Sequence, residues 1–163
     1  SLMYREVTYS DNLLKYWRDE CNSAKWYRES LETEDTSEES FTRFCNKHRM
    51  FEIDDVALVY FEYVTSTAVN LHFSLLRGER VEIDDLITIR NQLFDEGVVW
   101  IFGWVAKKNR WLKRICEAVG MNYYGIDDDT KRVRGKPFIL QRYSMHVTEF
   151  LVVNKNKSLV SSF

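Results

Sequence analysis

The clearest hydrophobic pattern in the chain lies between residues 98 and 121, where an apolar run passes into an amphipathic segment. The run 98–106 contains no charged side chain. Beyond it, apolar residues recur at every fourth position, which is the spacing of one helix face, at Trp111, Ile115 and Val119. Asn109 suits the N-cap of this helix, and Gly120 suits the left-handed position that ends it. The pattern predicts a buried strand that leads directly into an amphipathic helix, followed by a strand at 122–124.

Alternating and helical patterns also occur in the rest of the chain. Strands are predicted at 4–9, 50–53, 56–64, 69–75, 121–126, 138–145 and 149–153. Further helices are predicted from Ser10 or Asp11 to Ala24, at 41–48 and at about 84–96. In the predicted strand 69–75, one side carries Val69, Leu71, Phe73 and Leu75, and the other carries Asn70, His72 and Ser74. This strand therefore has one apolar face and one polar face.

Polar segments separate the predicted elements. Asp54 and Asp55 form a hairpin-turn signal, 77–82 is a predicted loop, and 127–136 is a predicted polar turn. The acidic stretch 29–39 has almost no apolar residue, so we predict a solvated loop there, with a docking site for a basic partner as the alternative. His48 is expected at the surface or in contact with the C-terminal end of its helix.

Composition and charge narrow the class of protein. The 163 residues, 45% of them apolar, are enough for one hydrophobic core and too few for two. The net charge of -2 gives no general attraction to nucleic acid or to an anionic membrane. Three widely spaced cysteines indicate reduced thiols and a cytoplasmic location, and no Cys/His cluster has zinc-ligand spacing, so no metal site is predicted. With neither a membrane-length apolar run nor a signal-peptide pattern, we expect one soluble domain at 3–147 and a C-terminal strand or tail at 148–163.

The order of the elements and one motif resemble the GNAT N-acetyltransferase superfamily over about residues 3–145. GNAT proteins commonly have a fifth strand ending in Val-x-x-x-Asn and then a helix ending in Tyr-Glu-Lys-x-Gly-Phe. The residues at the corresponding positions here are Val105, Asn109, Cys116, Glu117, Gly120 and Met121. The resemblance implies a single α/β domain with a mixed, mostly antiparallel sheet and about four flanking helices. At its middle, the strands 69–75 and 98–105 would run parallel and splay apart at their C-terminal ends; a chance αβ unit is the alternative.

The resemblance also implies a position for a cofactor. In the GNAT fold acyl-CoA lies between the splayed strands, and N–H groups at the start of the next helix hold its pyrophosphate. The residues implied to contact it here are Leu75, Arg77, Gly78, Arg80 and Asn109. The loop departs from the family pattern, since it has one glycine and is crowded by Glu79, Glu82, Asp84 and Asp85. Because carboxylates compete for the same N–H donors, we expect acetyl-CoA not to bind tightly.

Three residues are candidates for catalysis under the same resemblance. His72 lies on the polar face of the predicted strand 69–75, and Glu62 lies on the neighbouring strand, so either would serve as a general base. Cys116 stands where the family usually has the tyrosine that reprotonates the leaving thiolate. The alternatives are a structural histidine and a small cysteine of the hydrophobic core.

Two functions are compatible with these features. The first is a non-catalytic protein similar to the small GNAT-like head-assembly or virion proteins of tailed bacteriophages. Its partners would be other phage head or portal-region proteins, and its location the host cytoplasm or the virion. The second is an acetyl-CoA-dependent N-acetyltransferase that acts on a small amine or a protein amine. The altered loop and Cys116 favour the first function.

Overall fold

The computed structural model describes residues 4–18, 37–126, 131–133 and 136–150. The strands in these ranges are β1 (Tyr4–Val7), β2 (Arg49–Ile53), β3 (Ala57–Thr65), β4 (Ala68–Leu75), β5 (Trp100–Ala106), β6 (Asn122–Ile126), β7 (Lys131–Val133), β8 (Lys136–Phe138) and β9 (Leu140–His146). The helices are a 3-10 helix (Asp11–Tyr16), α1 (Glu38–Lys47), α2 (Ile83–Asp95) and α3 (Arg110–Ala118), and residues 147–150 are also helical. Within the described ranges, no helix combines the length and the apolar character needed to cross a membrane.

Seven strands form one mixed sheet in the order β1-β2-β3-β4-β5-β9-β6, which confirms the predicted fold class. Only β4 and β5 are parallel neighbours in this sheet, and α2 connects them along the chain. Their pairing covers three residue pairs and ends at Asn70 and Phe102. Beyond that point β4 remains paired with β3 as far as Leu75, and β5 remains paired with β9 as far as Ala106. The two strands therefore diverge towards their C-terminal ends, as predicted.

The sheet separates two hydrophobic clusters, because β3 buries alternate residues on both of its faces. Val59 and Phe61 belong to the cluster under α2 and α3, whereas Leu58 and Tyr60 belong to the cluster under the 3-10 helix and α1. On β4, Val69 and Phe73 are buried in the first cluster, with Leu71 and Leu75 packed against it. The predicted apolar face of β4 thus points towards α2 and α3.

The unit that joins β5 to α3 agrees closely with the sequence pattern. Asn109 caps α3, since its side-chain oxygen accepts a hydrogen bond from the backbone N–H of Leu112 at 3.1 Å. Gly120 has φ of +99°, a left-handed conformation that side chains disfavour, and it ends the helix as predicted. The hairpin between β2 and β3 is likewise present, with Asp54 and Asp55 both at positive φ.

Two predictions near the start of the chain need correction. The acidic segment 29–39 was predicted as a loop, but Glu38 and Glu39 form the first turn of α1. The hydroxyl of Ser37 caps this helix by accepting a hydrogen bond from the backbone N–H of Ser40, and acidic residues at a helix N-terminus are favourable. The helix predicted to start at Ser10 or Asp11 begins as a 3-10 helix, and residues 19–36 lie outside the described part of the chain.

The elements of the C-terminal third also differ in detail from those predicted. The predicted polar turn 127–136 contains β7, whose partner β8 follows at once, and the last strand begins at Leu140 instead of residue 138. The strand predicted at 149–153 is wrong where the structure describes it, because residues 147–150 are helical. This turn packs Phe150 against the guanidinium of Arg90, 3.9 Å from the ring centre, and against Phe94 on α2. Residues 151–163 lie outside the described ranges.

Gly103 provides a test of packing at the centre of the sheet. It faces the α2 and α3 side, and a Cβ atom there would lie 3.2 Å from Cε of Met121 and 3.8 Å from Sγ of Cys116. We expect Gly103→Val to overpack this site and destabilise the protein by about 1–3 kcal/mol, with a melting temperature lower by about 2–4 °C for each kcal/mol. Gly103→Ala should have a smaller effect, since Cε of Met121 ends a flexible side chain. An unchanged melting temperature for Gly103→Val would contradict this account.

Candidate functional site

Because β4 and β5 diverge, one edge of β4 has no paired strand beside it at residues 71–75, although β4 lies inside the sheet. On the other edge of β4, the backbone N–H of Leu76 donates to the carbonyl of Val56 at 3.0 Å. Because successive residues direct their peptide groups to opposite edges, the peptide groups of Phe73 and Leu75 point towards β5. We call the region between 71–75 of β4 and 103–106 of β5 the opening. Its backbone groups could pair with an extended ligand.

Aromatic and aliphatic side chains pack beside the opening on the side of α2 and α3. Trp111, in the first turn of α3, contacts Phe73 of β4, with ring centres 5.4 Å apart. The indole is 37% exposed, so it lies at the boundary between the opening and solvent. An apolar cavity beside Phe73 has a volume of about 20 Å³ and is also lined in part by Leu71, Leu112 and Ile115. That volume corresponds to about one water molecule, so this cavity has no room for a larger ligand.

The loop between β4 and α2 brings Arg77, Gly78 and Arg80 to the end of the opening, next to the start of α2. Gly78 has φ of +77°, and nothing lies within 4 Å of where its Cβ would be. Glu82 is the N-cap of α2 without a side-chain capping bond, and the first turn of the helix contains two aspartates. One of them, Asp85, is only 5% exposed. The start of α2 therefore carries three carboxylates, those of Glu82, Asp84 and Asp85.

A second group of polar side chains lies on the opposite face of the sheet, under α1. It consists of Glu62 of β3, His72 of β4 and His48, which directly follows α1. One ligand atom from each lies within 4.8 Å of those of the other two, and Nε2 of His48 is 3.8 Å from a carboxylate oxygen of Glu62. The rings of His48 and His72 are 5.5 Å apart, and His72 stacks on Tyr60 at 5.1 Å. We call these three residues the His-Glu cluster.

Solved structures of acetyltransferases share this architecture over almost the whole chain. Spermidine N-acetyltransferase from Vibrio cholerae, in complex with CoA and spermine, is 14% identical, with a TM-score of 0.69 over 93% of this chain and 99% of that one. Ribosomal-protein-S5-alanine acetyltransferase from Vibrio fischeri is 13% identical, with a TM-score of 0.67 over 88% and 91%. A GNAT family acetyltransferase from Bacillus anthracis is 11% identical, with a TM-score of 0.68 over 88% and 95%.

The chain has the GNAT fold. At these identities the likeness establishes the fold alone. No family profile matches the chain, and no curated protein matches it in sequence. Which residues of this GNAT fold carry a function must therefore be judged from its own side chains.

The residues around the opening do not fit acyl-CoA. A pyrophosphate bound at the start of α2 would need the N–H donors of the first turn, where Glu82, Asp84 and Asp85 supply negative charge. Asn109 is already engaged, because its side chain caps α3 and its backbone N–H donates to Ala106 at 2.8 Å. On the α2 and α3 side, Trp111 packs on Phe73, whose peptide group faces the opening. We therefore derive no reaction step through this cofactor.

Cys116 is a residue of the hydrophobic core. It is 2% exposed on the inner face of α3 and belongs to the cluster under α2 and α3. Burial raises the pKa of its thiol to about 12, so the group stays protonated near neutral pH. These surroundings are those expected of a small cysteine in the hydrophobic core, which was the predicted alternative. An acid that reprotonates a thiolate would need access to solvent or to the ligand.

The structure brings His72 and Glu62 close together, as their strand positions predict, and adds His48. Glu62 is exposed, whereas Nε2 of His72 is buried. Burial and then the neighbouring His48 lower the pKa of His72 to about 3, and burial also lowers the pKa of His48. His48 is not at the surface, since it is 9% exposed, but its Nδ1 does contact the end of α1 through the carbonyl of Phe44 at 2.8 Å. The sequence indicated no site at His48, because its position beside Glu62 depends on the register of β2 and β3.

The buried thiols give a direct test of this packing. At pH 8 in the native protein, we expect Cys45 and Cys116 to resist alkylation by iodoacetamide, since burial raises the pKa of each to about 12. Mass spectrometry of the peptides that contain them measures the modification. The same protein in denaturant is the control, and both cysteines should react there. Native alkylation of Cys116 at the denatured rate would show that it is accessible.

Proposed function

We propose that this chain is a non-catalytic GNAT-fold protein, in which the site used for acyl-CoA by the enzymes of this fold has been filled by protein side chains. The observation that carries the proposal is the contact between Trp111 and Phe73 across the opening. This contact joins α3 to β4 at the position where the sheet is not closed by hydrogen bonds. An acyl-CoA arm in that position would have to displace an indole ring that packs on the core.

The charge at the start of α2 supports the same proposal. Glu79, Glu82, Asp84 and Asp85 lie within seven residues around a loop with a single glycine. Two like unit charges about 4 Å apart repel by roughly 4 kcal/mol at an effective dielectric of about 20. The exposed carboxylates are screened by solvent, and Arg77 and Arg80 offset part of the repulsion. Even so, the loop is poorly suited to a pyrophosphate.

Within this class, we assign the chain to the GNAT-like head-assembly or virion proteins of tailed bacteriophages. The support is the sequence resemblance together with the intact scaffold and the filled opening. The partners would then be other head or portal-region proteins, and the protein would act in the host cytoplasm or within the virion. Purification of phage particles and peptide mapping of their proteins would test this assignment, and absence of the chain from both particles and assembly intermediates would contradict it.

The second candidate is an acetyl-CoA-dependent N-acetyltransferase for an amine. The observation in its favour is the strand edge at Phe73 and Leu75, which faces the opening and could pair with an extended ligand. The enzymes with the same fold include one whose structure contains CoA and spermine. Under this candidate, His72 or Glu62 would be the general base. The buried Nε2 atom of His72 and the packing of Trp111 on Phe73 weigh against it.

Calorimetric titration with acetyl-CoA at low salt separates the two candidates. We expect the native chain to bind with a dissociation constant no tighter than roughly 0.1–1 mM. A variant with Glu79→Gly, Glu82→Gly and Trp111→Ala should bind at least tenfold more tightly, because both the charge and the indole ring have been removed.

Trp100→Ala is the matched control for the tryptophan change. Trp100 is 38% exposed, almost the same as Trp111, but it lies in the part of β5 that pairs with β4, outside the opening. It should leave acetyl-CoA binding unchanged, and circular dichroism should show that each variant is folded. Micromolar binding by the native chain would overturn the proposal and favour the acetyltransferase.

A further inference from the structure

We propose that the His-Glu cluster binds a divalent transition-metal ion, with His48, Glu62 and His72 as its ligands and zinc as the reference ion. The cluster is on the α1 face of the sheet, away from the filling residues of α2 and α3. The inference therefore does not rest on the filling of the opening.

The three side chains converge from different elements of the fold. The register of β2 and β3 pairs Arg49 with Phe61, and continuing it by one residue places His48 opposite Glu62. The register of β3 and β4 pairs Tyr60 with His72, so His72 is the diagonal neighbour of Glu62 on the same face. The sheet thus brings together residues separated by 10 to 24 positions in the sequence.

The distances suit a metal after small side-chain rotations. The ligand atoms lie within 4.8 Å of one another, and His48 and Glu62 are already 3.8 Å apart. A tetrahedral zinc ion with bonds of about 2.0–2.1 Å requires ligand atoms roughly 3.4 Å apart. Glu62 is half-exposed and free to rotate, so it can close most of this difference. The histidine rings are held by aromatic packing and need to move little.

The hydrogen bond of His48 presents the correct nitrogen to the cluster. The carbonyl of Phe44 can only accept, so Nδ1 of His48 carries the hydrogen in this 2.8 Å bond. The neutral ring then has its lone pair on Nε2, the atom that faces Glu62. This side chain is 2% exposed, and its Nε2 has no hydrogen-bond partner among the described residues. A backbone carbonyl that fixes the other ring nitrogen is the usual support of a metal-bound histidine.

A buried amide oxygen supports a cation at the same place. Asn70 is the direct partner of Glu62 in the register of β3 and β4, so the two side chains are neighbours on one face. Its Oδ1 atom is buried and accepts no hydrogen bond within the part of the chain that the structure describes. A metal ion, or a water molecule bound to it, would give this oxygen a positively polarised neighbour. Since Glu62 is exposed, the fourth coordination position would face solvent.

The ligand types select a class of metal. Two imidazoles and one carboxylate suit zinc, cobalt, nickel or ferrous iron, whereas magnesium and calcium prefer oxygen ligands alone. One carboxylate also balances part of the charge of a dication. We therefore expect Zn²⁺ and Co²⁺ to bind with a stoichiometry of one, and Mg²⁺ not to compete at similar concentration.

The test is calorimetric titration of the full chain, without any histidine tag, with Zn²⁺, and optical titration with Co²⁺. The native protein should bind one Zn²⁺ with a micromolar or tighter dissociation constant, and Co²⁺ should give d–d absorption of a protein-bound ion. Glu62→Gln keeps the size of an exposed side chain and should weaken Zn²⁺ binding at least tenfold. His48→Gln should abolish it, and the melting temperature without metal will show whether that variant is folded.

The third histidine of the chain provides the matched control. His146 lies on β9, where it contacts Trp100 and Thr148 instead of the cluster. His146→Gln should leave Zn²⁺ binding unchanged. The proposal is overturned if the native chain binds Zn²⁺ more weakly than about 0.1 mM, if Glu62→Gln binds as tightly as the native chain, or if His146→Gln causes the same loss as Glu62→Gln.

Discussion

β4 and β5 hydrogen-bond to each other as a parallel pair over only three residue pairs, and the rest of the structure is arranged around this short contact. Antiparallel partners hold both strands beyond it, β3 on one side and β9 on the other. The strands therefore cannot close on each other without losing pairing elsewhere. The sheet keeps a gap whose peptide groups need a neighbour, because unsatisfied backbone groups are costly when buried.

In this chain, side chains of α3 cover the gap on one face. Trp111 contacts Phe73, and the apolar cavity that Phe73 also lines has space for about one water molecule. The carboxylates at the start of α2 then add charge where a phosphate ligand would need donors. Under the proposed function, the scaffold does not need acyl-CoA in this gap. On its other face the sheet gathers two histidines and a glutamate, so the two faces can serve separate roles.

The sequence predicted the parts of the fold that depend on local pattern. Asn109 and Gly120 bound α3 as expected, and the alternation from Val69 to Leu75 matches the two faces of β4. The pairing of His48 with Glu62 depends on the length of the hairpin loop, which the sequence does not determine. In the structure, the hairpin pairs Ile53 with Ala57 across a three-residue loop. A two-residue loop, equally compatible with the Asp54–Asp55 signal, would shift the register by one and turn every side chain to the other face.

The remaining differences between the prediction and the structure are due to tertiary contacts. The packing of Trp111 on Phe73 joins residues 38 positions apart, and nothing in the helical spacing of α3 shows that the ring crosses the opening. The strand predicted at 149–153 gave way to a helical turn where the structure describes it, and that turn packs Phe150 against Arg90 of α2. Propensity alone does not include such contacts.

Amide hydrogen exchange at Phe73 and Leu75, measured with and without about 20 μM CoA, tests the central claim most directly. These two amides face the opening, so a ligand that paired with the strand edge would slow their exchange. The account predicts the same exchange rates in both conditions, because Trp111 and its neighbours already fill the opening. Slower exchange of these two amides in the presence of CoA would contradict it.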